Sequence, residues 1–216
     1  MAWSEISTIR DITGVSSDAY DDGDVTNFIS LAQREVNSKV IQKVIREKIE
    51  QLDSTRTNKI DGSNTTYYLK NWKGNYLGDT DYDFSVDTTD VEVYQVASDG
   101  TETELTISSV DYEKMSFTLS SAPSNVSLYV TYSYTPYNPV SPDPFLQQVT
   151  TYLAASYIDL TDGADESIRF GNVSIMGSGS NGIRGNKYYQ KYMELMNQLQ
   201  ESVTNGALWG ESFVRI

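Results

Sequence analysis

The hydrophobic period of this chain changes twice, and those changes limit what it can fold into. From Asp24 to about Leu52 apolar residues recur at helical spacing: Val25, Phe28, Ile29, Ala32, Val36, Val40, Val44 and Ile45. From about Asn58 to Tyr137 the period is two, and after Pro144 it is helical again. A one-striped helix and a one-faced strand each need a partner that covers the apolar side. The pattern therefore predicts an α+β fold: a small helical bundle, with one long N-terminal helix and two C-terminal helices, carrying an inserted antiparallel β module.

The first helix is predicted to be capped by Asp24 and to reach about 40 Å at the usual rise per residue. Glu35 with Lys39, Lys43 with Glu47, and Arg46 with Glu50 supply i,i+4 pairs on its wet side. In "NVSLYVTYSYTPY", Val126, Leu128, Val130, Tyr132 and Tyr134 share one face and Ser127, Tyr129, Thr131, Ser133 and Thr135 the other, as in a half-buried strand. "DVEVYQV", "TELTISS" and "MSFTLSS" read likewise, and "SDGT" at 98–101 is a hairpin signal. Asp143 is placed to cap a helix that has Pro144 at its first position. Its stripe is Phe145, Val149, Tyr152, Leu153, Tyr157 and Leu160. The last helix, from about Asn186 to Val203, presents Tyr188, Tyr192, Leu195, Met196, Leu199 and Val203. The expected divisions are 1–57 for the N-terminal segment and long helix, 58–137 for the β module, 138–205 for the two closing helices and 206–216 for a tail.

Charge and composition exclude several function classes. With 30 acidic against 16 basic residues the net charge is −14, which opposes binding of nucleic acid through phosphate neutralisation. The absence of cysteine and histidine removes disulfides, thiolate chemistry, His-dependent triads and His/Cys zinc sites. "MAWSEISTIRDIT" lacks a basic n-region and an apolar h-region, so no leader is expected, and no apolar run is long enough to span a membrane.

Three motifs invite a chemical reading. Gly177, Gly179 and Gly182 have G-x-G-x-x-G spacing. The dinucleotide fingerprint needs a strand before it and a βαβ unit around it, whereas a helix and a tail follow here. Ile183-Arg184 also replaces the Lys-Ser/Thr of a phosphate loop, so the stretch reads as a connecting loop and no cofactor is expected. Asp79, Asp81, Asp83, Asp87 and Asp90 resemble the oxygen ladder of a calcium loop, but Phe84 stands at the sixth position and Asp90 at the twelfth. The reading preferred is a solvated acidic edge that discourages strand aggregation; no metal is expected. "DAYDDGD" at 18–24 suits the start of a helix. No pair of acids, lysines or tyrosines is marked out by spacing as an acid–base couple, and no catalytic residue is assigned.

Two stretches carry a family resemblance. "ITGVSSDAYDDGDVTNFISLAQREVNSKV" resembles the opening of the head–tail connector proteins of tailed bacteriophages and related tailed viruses: a polar segment, an acidic cap and a long amphipathic helix. "RFGNVSIMGSGSNGIRGNKYYQKYMELMNQL" resembles their closing region, a G-x-V-S element, a variable loop and a Tyr-rich final helix. The resemblance implies a structural virion protein and no enzyme. It implies a homo-oligomeric ring, commonly twelve-fold, in the neck between capsid and tail and assembled in the host cytoplasm. Such a ring binds the portal protein above and a stopper or tail-completion protein below. DNA passes through its channel without specific binding, and no membrane is involved. The β module would be an enlarged form of the family's small insert. The alternative reading is an adhesion or carbohydrate-binding β domain on a helical stalk, with Tyr67, Tyr68, Trp72, Tyr76 and Tyr82 to stack on sugars.

The tail "GALWGESFVRI" sets Leu208, Trp209, Phe213, Val214 and Ile216 close together beside Arg215. Chain ends are normally polar. Large aromatic side chains bury much area for little rotamer entropy, so these six residues are the expected portal contact.

Overall fold

A computed structural model describes the backbone of residues 4–162 and 187–208 and the side chains of 4–158 and 187–201. The fold is α+β: four helices with inserted antiparallel sheets, among the described residues. Two compact units divide it: the described residues of Met1–Lys39 and Pro142–Ile216 form one, and Val40–Ser141 the other.

The helical unit contains α1 (Ile6–Thr13), α2 (Asp22–Val40, of which Val40 is counted with the other unit), α3 (Pro144–Asp162) and α4 (Lys187–Leu208). The sequence reading did not anticipate α1. It ends because Gly14 adopts φ 73°, a left-handed cap that only glycine takes without strain, and donates its N–H to the Arg10 carbonyl. The next helix is shorter than expected, about 28 Å. It starts two residues before Asp24, and its capping side chain is that of Asp21, which accepts the Asp24 N–H at 2.9 Å. It also stops at Val40 instead of continuing to Leu52, and 42–48 is a strand.

Asp143 caps α3 as expected, accepting the Leu146 N–H at 2.8 Å. The buried face of α3 is centred on Leu146, Val149, Leu153, Ala154, Ala155 and Ile158, while Phe145, Tyr152 and Tyr157 are only half-buried. Its buried hydroxyls are satisfied within the helix, Thr150 donating to the Leu146 carbonyl, Thr151 to that of Gln147 and Ser156 to that of Leu153, and Thr151 also meets the distant Ser4 at 2.8 Å. From α4, Tyr188, Tyr192, Leu195, Met196 and Leu199 enter the core, and from α2 Val25, Phe28, Ile29, Ala32 and Val36. Each such aliphatic or aromatic side chain removed from water contributes about 1.5–3 kcal/mol.

The second unit holds β1 (Gln42–Lys48), β2 (Thr66–Tyr68), β3 (Tyr76–Leu77), β4 (Glu92–Val96), β5 (Glu102–Glu104), β6 (Ile107–Asp111), β7 (Ser116–Leu119) and β8 (Ser127–Thr135). One sheet runs β1-β8-β4-β5, with β3 also paired to β8; the other runs β2-β7-β6. All pairings are antiparallel. "TELTISS" divides between β5 in the first sheet and β6 in the second. The "SDGT" turn closes β4–β5, with Gly100 at φ 87°.

Strand β8 is the axis of the first sheet. Its Leu128, Val130 and Tyr132 face the core with Val93, Leu77 and Ile49, and the second sheet adds Tyr67, Phe117 and Leu119. On its other face Ser133 and Thr135 are buried too, so this end of the strand is covered on both sides. The start of β1 lies against the end of β8: Gln42 is opposite Tyr134, whose hydroxyl donates to the Gln42 side-chain oxygen at 2.6 Å.

Candidate functional site

Several residues singled out by sequence for binding lie outside the described residues. Trp209, Phe213, Val214, Arg215 and Ile216 do, as do Gly177, Gly179 and Gly182. Leu208 is the last residue of α4, so the tail begins at the end of a helix that runs past Gly206, not at 206.

The acidic loop is resolved in full. One carboxylate oxygen from each of Asp79, Asp81 and Asp83 lies within 4.8 Å of the others. These oxygens could face a hard cation, but the loop already uses them as acceptors. Asp79 takes the N–H groups of Asp83 at 3.2 Å and Phe84 at 2.9 Å. Asp83 takes the N–H and hydroxyl of Ser85, and Asp81 takes the hydroxyl of Thr89. Asp90 accepts from the N–H and hydroxyl of Thr80 and from the Asp87 N–H. Asp79 and Asp90 are 2% and 3% exposed, so the loop is a hydrogen-bonded knot around two buried acids, not the solvated edge expected. Burial, with the Asp90 and Asp81 charges nearby, pushes the Asp79 carboxyl up to about 6 against the pull of its backbone donors. Burial also raises Asp90.

The five aromatics that would make a sugar platform are dispersed. Tyr67 is fully buried and stacks on Phe117 at 5.7 Å. The Arg56 guanidinium sits 3.5 Å above the Trp72 ring, and Tyr76 lies against Tyr112. Tyr68 belongs to β2, and Tyr82 stands in the acidic loop with φ 61°.

The acids of "DAYDDGD" gather at the start of α2, where Asp21 is the cap and Asp22 and Asp24 lie in the first turn. Asp22 pairs with Arg10 at 2.6 Å, and Arg10 also donates to the Tyr20 carbonyl.

The sequence reading missed a charged face of the first sheet. The strand register aligns Lys48 with Tyr129, Tyr129 with Tyr94, and Tyr94 with Glu104. These four residues form one row across all four strands, on the side opposite Val93 and Val130. Between Val44 and Glu47 the β1 register shifts at a bulge, where Arg46 takes φ 56° and its N–H bonds to the Thr131 hydroxyl. The Arg46 guanidinium lies 5.6 Å from the Tyr129 ring and 5.7 Å from the Tyr94 ring. It ends in a two-pronged ion pair with Glu102 at 2.6 and 2.8 Å. The β1 side of this face is basic and the β5 side acidic. Strict alternation through "QKVIREK" would set Arg46 and Lys48 on the Val44 side, so the bulge that turns them onto this face hid it from the sequence.

A cleft lined by Glu47, Lys48, Glu50, Leu52, Asn58 and Lys70 opens beside β1. Its buried Asn58 is used internally: it donates to the Glu50 and Tyr68 carbonyls and accepts the Tyr68 N–H, all at 2.8 Å. Among the described residues no helix is long and apolar enough to cross a membrane. No protein-family model and no curated protein matches this chain.

Proposed function

We propose that this chain is a structural virion protein, a head–tail connector that assembles as a ring, commonly of twelve copies, below the portal. It extends the DNA channel, docks the stopper or tail-completion protein and performs no reaction. One observation supports the reading most. The helical unit is built from the described residues of two separate stretches, 4–39 and, on the far side of the inserted β unit, 142–162 with 187–208. The order is short helix, long helix, insert, capped helix and Tyr-rich last helix. From the long helix onward that is the order in which the resemblance to connector proteins runs, the short first helix being no part of it, and α2, α3 and α4 meet through the Glu35 carboxylate, which accepts from Tyr157 and Tyr192. A net charge of −14 suits a channel component past which DNA must slide, because like charge prevents tight phosphate contacts.

The test is reconstitution with the portal ring of the same virus, read by native mass spectrometry and electron microscopy. The full chain should add a ring to one end of the portal. A chain ending at Leu208 should keep its far-UV dichroism and melting temperature but lose attachment, and Trp209→Ala should weaken attachment by about 2 kcal/mol. A full-length protein that leaves the portal unoccupied at micromolar concentration would sink the reading.

A further inference from the structure

We propose that neighbouring copies of this chain join through the β unit, the β5 edge of one copy against the β1 edge of the next. The inference deepens the ring reading above, on which its closure into a ring rests.

In the order β1-β8-β4-β5 the first and last strands each have one unpaired edge among the described residues. The two edges carry opposite charge on the same face. Lys43, Arg46 and Lys48 stand on β1, all exposed; Glu102 and Glu104 stand on β5, also exposed. Arg46 and Glu102 satisfy each other within the chain. Lys43, Lys48 and Glu104 have no ion-pair partner among the described residues. Ile45, 70% exposed, adds an apolar side chain at the β1 edge.

Topology gives the direction. Four antiparallel strands make β1 and β5 run oppositely, so β1 of the next copy lies antiparallel to β5 and the alternation continues. Such a contact joins two different surfaces, and repeated head to tail it closes into a ring or runs on as a filament. The cross-strand row Lys48–Tyr129–Tyr94–Glu104 then continues from Glu104 to Lys48 of the next copy, an opposite-charge pair on one face. Lysines and a bulge commonly guard a strand edge against indiscriminate pairing. Here they reject another β1 edge and leave an acidic edge acceptable, which is selection by charge.

The chain has no cysteine, so introduced thiols report cleanly. Full-length Ile45→Cys and Thr103→Cys proteins are mixed and treated with a short bismaleimide. The 45–103 product should exceed both homodimeric products. Adding Glu104→Lys or Lys48→Glu to every chain should cut that product about fivefold, and combining both reversals in one chain should restore it. Predominant 45–45 or 103–103 product, or no 45–103 product, overturns the edge contact. So does indifference to the charge reversals. A ring on the portal without the 45–103 product refutes the edge contact and leaves the connector reading intact. The 45–103 product from a chain that never engages the portal does the reverse.

Discussion

The hydroxyl of Tyr157 on α3 donates to the Glu35 carboxylate of α2 at 2.9 Å, and Tyr192 of α4 reaches the other oxygen at 3.2 Å. One acid thus ties three helices. Burial, followed by the Glu35 charge, raises both phenols well above the ordinary tyrosine range, so they remain donors at any working pH. Tyr157→Phe and Tyr192→Phe should each cost about 1.5 kcal/mol in urea unfolding, the scale of a hydrogen bond to a charged acceptor. Glu35→Ala, which orphans both hydroxyls, should cost about 3 kcal/mol. Additive effects in a Tyr157/Tyr192 double-mutant cycle would show that the two bonds do not act as one network.

Asn58 ties the segment after β1, at Glu50, to Tyr68 of β2 through three side-chain hydrogen bonds and is 5% exposed. Asn58→Ala leaves two carbonyls and one N–H without that partner, so its expected cost is about 3 kcal/mol, read as a fall in melting temperature. A change within experimental error would mean that water replaces the side chain there.

The acidic loop makes a prediction in pH. The folded pKa of Asp79, about 6, lies above the value of 3.8 for the free side chain. The contribution of a carboxyl raised in this way is fully present below pH 3.8 and is lost as pH rises through 6. Asp79→Asn removes the titration. The stability of the wild-type β unit relative to this variant should therefore fall between those two values, by on the order of 2 kcal/mol, and then level off. A difference that stays constant from pH 3 to 8 would exclude a raised Asp79.

Gly14 offers a cleaner backbone test. A Cβ at this position would meet nothing within 4 Å, so any penalty comes from φ 73° alone. Gly14→Ala should cost about 1 kcal/mol and Gly14→Asn less, by thermal unfolding. Equal stability of all three proteins would show that α1 frays without its left-handed cap.

For β8 and for the start of α3 the sequence was a sound guide, though not for the buried face of α3. The alternation of 126–135 identified the core face of β8, and the Asp143–Pro144 pair marked the start of α3. The stretch 42–50 was misread because it satisfies two patterns at once. Val40, Val44 and the i,i+4 charge pairs suit a helix; Lys43, Val44 and Ile45 also alternate between exposed and covered positions in a strand. Tertiary pairing decides such a tie, and β8 needs a neighbour beside Val130, Tyr132 and Tyr134. The long-range contacts were invisible for the same reason. Glu35 meets tyrosines 122 and 157 residues away, and the Arg46–Glu102 pair depends on a strand order that local spacing does not encode. The acidic loop looked solvated because its aspartates are many, whereas the fold buries two of them and supplies backbone donors.

Gln42 and Tyr134 are opposite one another on β1 and β8, so the chain enters and leaves the β unit through adjacent strands. An insert with neighbouring ends behaves as a cassette. It can lengthen, shrink or be exchanged for another with ends at the same spacing, provided a short linker closes the gap. The β unit is therefore free to diverge at the pace of whatever it meets, while residues such as Glu35, Tyr157 and Tyr192 are held to the pace of the helices that they join.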